Sequence, residues 1–139
     1  MRNRRIVTDP YIYTAEVASI ANSASANDSF TIEADADFEL HKLTYIAAIA
    51  DLTQTESSRV VPLVTVIITS TGSGRQLMDA AVPIPSMFGT GEIPFILPQP
   101  KIFKARSAIQ VTFQNYSNAT TYTNVKLAFI GVKRFQLSN

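Results

Sequence analysis

Glu33, Asp35, Asp37 and Glu39 alternate with Ile32, Ala34, Ala36, Phe38 and Leu40, and Asp28 lies just upstream. Carboxylates at every second position share one face of a strand, about 6.6 Å apart. Such a face suggests a hard-cation site, because Ca²⁺ takes several oxygen ligands. Carboxylates on one strand, however, do not converge on one ion without help from a loop. The expectation is therefore a solvated face, or one paired with Lys or Arg from a neighbouring strand or subunit, and no metal. A carboxylate pair for glycoside hydrolysis needs acids across a cleft, commonly with aromatic platforms, and the chain has no Trp. His41 is the single histidine, two residues from Glu39, so a charged pair is expected. No G-x-S-x-G elbow is present to build a triad. Ser73 lies in Gly72-Ser73-Gly74, which reads as a turn. Cysteine is absent, which excludes thiolate nucleophiles, disulfides and Cys-containing zinc sites. No enzymatic activity and no cofactor are expected.

The basic residues form three groups: Arg2, Arg4 and Arg5; Lys101, Lys104 and Arg106; and Lys133 with Arg134. Nucleic-acid binding would want aromatics interleaved on the same face, and only Phe103 and Phe135 are near. With 12 basic against 11 acidic residues, the net charge of +1 carries no general nucleic-acid footprint. The terminal groups read instead as a docking arm for an acidic protein surface. Three Asn-x-Ser/Thr triplets begin at Asn27, Asn115 and Asn118 and are expected by chance in this composition. Five of seven prolines fall between Pro83 and Pro100, beside the apolar Met87, Phe88, Ile93, Phe95, Ile96 and Leu97. A rigid apolar segment loses little entropy on binding. The residues expected to meet a partner are Arg2, Arg4, Arg5, Phe88, Ile93, Phe95, Lys133 and Arg134.

The elements that must position these residues are strands. Phe30 to His41 alternates strictly, which predicts one strand with a wet and a buried face. The Ala-Asp steps within it mark a bend or bulge, since both residues are weak strand formers. Ile109–Gln114 and Asn124–Phe135 alternate in the same way. Gly131, inside the latter, suggests a bulge or a close backbone approach. Val60–Thr69 reads as a central strand, and Gln76–Val82 and Ile93–Leu97 as weaker ones; Tyr11–Ile20 fits a helix capped by Asp9-Pro10, but its Tyr, Ile, Thr and Val content favours a strand. Leu43–Ala50 fits a strand or a short helix. The proline segment reads as an extended excursion outside the sheet. About eight strands with turns every 8–12 residues predict an all-β, two-sheet antiparallel sandwich of jelly-roll type. The 139 residues fit a basic N-terminal arm over 1–9 and one domain over 10–139. No run approaches the roughly 20 apolar residues of a membrane helix, and no secretory signal follows the basic start. No membrane and no direct nucleic-acid contact are expected. The apolar content and near-zero charge favour a homodimer.

Taken in order, Phe30–Leu40, the Pro-rich Ile93–Pro100, Ile109–Asn115 and Val125–Lys133 resemble the jelly-roll cement (capsid decoration) proteins of tailed bacteriophages. The resemblance spans about residues 11–135 and rests on strand chemistry. It implies a non-catalytic virion protein, dimeric, on the outer capsid surface, assembled in the host cytoplasm, with the major capsid protein shell as its partner. Head-completion or tail proteins of the same virion, and a carbohydrate-binding jelly roll using Tyr11, Tyr13, Tyr45, Tyr116 and Tyr122, are the alternatives.

Overall fold

A computed structural model describes residues 4–49, 61–71, 75–90 and 93–138. The chain is a β-sandwich. Sheet A holds β1 (Arg4–Ile20), β9 (Tyr122–Ser138), β3 (Asp37–Ile49) and β7 (Phe95–Phe103), in that spatial order. Sheet B holds β2 (Ser25–Thr31), β8 (Ala108–Asn115), β4 (Val64–Ser70) and the two-residue β5 (Arg75–Gln76). A second two-residue strand, β6 (Val82–Pro83), also pairs with β4. The chain changes sheet at each step from β1 to β4 and again from β7 to β9, and every strand pair is antiparallel. This interleaving of two Greek keys is the jelly-roll order.

Alternation explains the core. Tyr13, Ala15 and Val17 of β1, Val125, Leu127 and Phe129 of β9, and Phe38, Leu40 and Leu43 of β3 are buried from sheet A. They meet Val64, Val66 and Ile68 of β4 and Ile109, Val111 and Phe113 of β8. An aromatic cluster ties the layers together. Tyr13 stacks on Phe30 at 5.2 Å and meets Phe38 edge-on at 4.8 Å, while Phe30 lies 5.0 Å from Phe129.

Four sequence expectations change. The strand expected over Gln76–Val82 reduces to the two-residue β5 and β6, with bends over 77–80 between them, because each pairs with β4 for two residues only. The run Phe30–His41 is two strands with a crossover between them: β2 ends at Thr31, a turn occupies Ala34 and Asp35, and β3 begins at Asp37. Ile32 and Ala36 are buried on either side of the crossover, while Ala34, an inward position by alternation, is exposed in the turn. Residues 4–9, expected in a separate arm, form the first part of β1 and pair with residues 133–138 of β9. The proline segment is largely regular. A one-turn helix, α1 (Ile84–Met87), starts after Pro83 with Pro85 in its first turn, and Phe95–Phe103 forms β7. Pro98 and Pro100 are tolerated because β7 is an edge strand, where a missing N–H breaks no ladder.

Two glycines are required by close approach. A Cβ on Gly131 would lie 1.9 Å from the Glu39 carbonyl oxygen, where the β3 register shifts between Leu40 and Lys42. A Cβ on Gly89 would lie 2.2 Å from the Ile93 carbonyl oxygen. Gly89 bridges to β3, donating to the Leu43 carbonyl and accepting from the Tyr45 N–H. This bridge seats Phe88 in the core, edge-on to Phe129.

Candidate functional site

Glu33, Asp35, Asp37 and Glu39 are all engaged in ion pairs. Lys133 is buried at the end of the core, and its ammonium reaches Glu33 at 3.1 Å and Asp35 at 3.2 Å. It also lies 4.1 Å from the centre of the Tyr11 ring, a cation–π contact. The Tyr11 hydroxyl donates to Glu33, and Tyr13 accepts from the Glu33 backbone N–H. These donors hold the Glu33 carboxyl below its ordinary range, the Tyr11 hydrogen bond first and Lys133 second. The same hydrogen bond raises the Tyr11 phenol. Burial works to lower the Lys133 ammonium, but its hydrogen bonds to Glu33 and Asp35 prevail and raise it. Asp37 accepts from the Ala105 N–H and meets Lys104 at 3.6 Å. Glu39 pairs with His41 Nε2 at 2.8 Å. The acidic run thus forms a set of pairs within the chain: Glu33 and Asp35 with Lys133 and Asp37 with Lys104, distant in sequence, and Glu39 with the nearby His41. Among the described residues no cluster of three or more acidic, His or Cys side chains is arranged to hold a metal.

The partner residues expected from sequence do not form one surface. Phe88 is 2% exposed and belongs to the core, so it is not a docking anchor. Lys133 is committed to Glu33 and Asp35. Phe95 is half-buried against the core, while Ile93 is exposed. Arg5 is exposed on β1, and Arg134 is half-buried on β9. Arg4 begins β1, and Arg2 lies outside the described residues, as does the turn with Ser73. Phe95 sits opposite Leu43, which pairs with Phe129, whereas Arg5 pairs with Leu137. The stretch of β9 from Phe129 to Leu137 spans about 27 Å. The apolar and basic members therefore lie towards opposite ends of sheet A. Nor do the tyrosines form a platform: Tyr13 and Tyr122 are buried, and Tyr11 lies beneath Lys133.

The two outer faces differ sharply. Sheet B presents Asn27, Thr112 and Ile67 in one cross-strand row, and Ser29, Gln110, Thr69 and Gln76 in the next. That face is polar and nearly free of charge. Sheet A presents Ile12, Ile130, Lys42 and Ile96 in one row, and Pro10, Val132, Glu39 and Ile102 beside it. Ile12 is 56%, Ile96 64% and Ile102 38% exposed. These residues make a contiguous apolar field with Lys42 and Glu39 at its centre, and the Glu16–Lys126 pair, 3.4 Å apart, lies along its margin. The inner face of sheet A is already packed, so these residues are free of the core and exposed together. Sequence reasoning missed the field because Ile12 on β1, Ile130 on β9 and the pair Ile96 and Ile102 on β7 belong to three strands distant in sequence. The signal that could have found it is apolar residues on the wet side of an alternating strand, as at Ile12 and Ile130.

No helix among the described residues is long and apolar enough to cross a membrane. Comparison with known proteins finds no matching family model, no similar curated protein and no matching solved structure.

Proposed function

We propose that this chain is a non-catalytic structural protein of a virion, which binds the assembled capsid shell from outside and reinforces it. The observation that carries the reading is the apolar outer face of sheet A on a jelly-roll sandwich whose acidic run, Glu33 to Glu39, is engaged in ion pairs within the chain. The sequence resemblance to capsid decoration proteins supplies the particle, and the geometry supports an assembly role. Within this reading the outer face of sheet A meets a second copy of the chain. Its charges nearly balance, with Glu16, Asp37 and Glu39 against Lys42, Lys126 and Arg134. Under a two-fold axis Lys42 of one copy can face Glu39 of the other, a self-complementary arrangement. Four strands about 4.8 Å apart, over some eight residues, give a projected footprint of about 500 Å². With side-chain relief, that is of the order of the roughly 800 Å² per partner found in specific interfaces.

The test is a quantitative mass-spectrometric census of purified particles from the same source. The chain should occur in a fixed ratio to the shell protein, and stripped shells should take it up again to that ratio. Particles that lack it, or that hold only a few copies, would overturn the shell-binding role and move the reading towards a head-completion or tail component.

A further inference from the structure

An open cleft of about 520 Å³ lies at one lateral edge of the sandwich. The edge strands of both sheets wall it, β7 of sheet A and β5 of sheet B. Four cationic side chains line it and no carboxylate does: Arg75 from β5, Lys101 from β7, and Lys104 and Arg106 from the turn between β7 and β8. The chain has 12 basic residues in all, so a third of them surround this one cleft. Asp37 reaches Lys104 at 3.6 Å, but Lys104 is 82% exposed and keeps most of its ammonium free for another anion.

The turn is held rigidly. The Arg106 N–H donates to the Ile32 carbonyl at 2.8 Å, and the Ile32 N–H donates to the Ser107 carbonyl at 2.9 Å. Arg106 adopts φ of 70°, a left-handed conformation that favours glycine or asparagine. An arginine kept at such a position points to a use for its charge that outweighs the local backbone cost.

We propose that this cleft binds the carboxylates of an acidic segment from a partner protein. Three features favour a peptide. The cations come from both sheets and the intervening turn, so they suit several carboxylates spread along a chain better than one small anion. No strand among the described residues pairs with the outer side of β7, so a peptide laid along Lys101–Phe103 has backbone groups to meet. The one aromatic residue lining the cleft, Phe103, is buried in the core and offers no surface for stacking a nucleic-acid base. The inference stands beside the shell-binding reading and concerns only the chemistry of the partner surface. The dimer face adjoins the cleft and shares Ile102 with it, while the four cations of the cleft lie outside that face.

The probe is a fluorescein-labelled decapeptide rich in glutamate, titrated with the full chain and read by anisotropy. Saturable binding at about 50 mM salt, weakened strongly at about 300 mM, is expected from screening of charged pairs. Lys101→Gln and Arg106→Gly should each weaken binding by about tenfold. Arg106→Gly should melt at the same temperature or slightly higher, because glycine adopts this φ without strain. That separates loss of a ligand contact from loss of fold. Several results would overturn the proposal: no saturable binding, affinities unchanged in both variants, full displacement of the peptide by about 10 mM inorganic phosphate, or tighter binding of a ten-residue oligothymidylate than of the peptide. The particle census can fail while this binding succeeds, so the two readings are separable.

Discussion

Single residues set the tightest constraints. Gly131 passes so close to Glu39 that even a methyl group has no room, with backbone rather than a flexible side chain in the way. Gly131→Ala should therefore cost about 3 kcal/mol, at the upper end for overpacking, read as a lower urea midpoint at unchanged slope. Lys133 gives a pH signature. The Glu33 carboxyl is held below its ordinary value of 4.5, so its contribution is complete above that value and is lost as pH falls through the depressed one. Tyr11 and Lys133 are raised above 10.0 and 10.5, so their contributions are complete below those values and are lost as pH rises past the raised ones. Stability of the wild type should decline at both extremes. Lys133→Met should melt lower at neutral pH and show a shallower decline on both limbs. Parallel curves for the two proteins would mean that the cluster contributes nothing to the pH dependence.

At the scale of elements, the sandwich depends on how its strand ends and edges are closed. Asn115 is fully buried at the end of β8. Its amide donates to the carbonyls of Ile20 at 3.1 Å and Thr120 at 2.8 Å, and its side-chain oxygen accepts from the Ser117 N–H at 2.9 Å. One side chain thus joins β1, β8 and the loop leading to β9. Its burial also removes it as a glycan acceptor. Asn115→Ala would leave three backbone groups without partners and should cost about 3 kcal/mol, visible in denaturant unfolding and in faster amide exchange at Ser117. The 17-residue edge strand β1 is guarded differently. Pro10 interrupts its donor row, and Asp28 of β2 accepts from the Glu16 N–H at 2.7 Å. Closing an edge with proline and an inward-reaching charge prevents pairing with stray strands. Asp28→Ala should speed exchange at Glu16 and raise the tendency to aggregate on mild heating.

For the whole molecule, the contrast between the two outer faces predicts association. The wild type should sediment as a dimer at tens of micromolar. Ile12→Lys with Ile96→Lys places charges in the apolar field without touching the core, so the pair should yield a folded monomer of about half the mass. The core substitution Phe88→Ala makes a useful contrast. It should destabilise folding by about 3–5 kcal/mol and leave the association of whatever remains folded unchanged. A wild type that is monomeric at tens of micromolar would remove the two-fold arrangement from the proposed function.

Alternation alone determined the class of this fold. β8 and most of β9 are legible residue by residue, because a strand with one dry face must repeat every second position and the core residues do so, whereas of β1 only Tyr11–Ile20 is legible as a strand. Gly131 was legible as a close approach for the same reason, since a side chain missing from an alternating strand has a structural cause. Tertiary structure decided what a period of two leaves unspecified. Crossing from sheet B to sheet A exposes Glu33, Ala34 and Asp35 in succession, but an exposed alanine keeps the sequence alternating, so the pattern could not reveal that Phe30–His41 is two strands. The choice between strand and helix at Leu43–Ile49 fell to strand because β9 supplies its ladder partners. Phe88 and Lys133 read from the sequence as partner contacts, yet Gly89 pins the first into the core and two carboxylates from the crossover draw the second inward. The apolar field on sheet A and the basic cleft between β5 and β7 each collect residues from segments far apart in the chain. No local pattern encodes such a meeting, because strand order and register, set by burial of the opposite faces, determine which residues become neighbours.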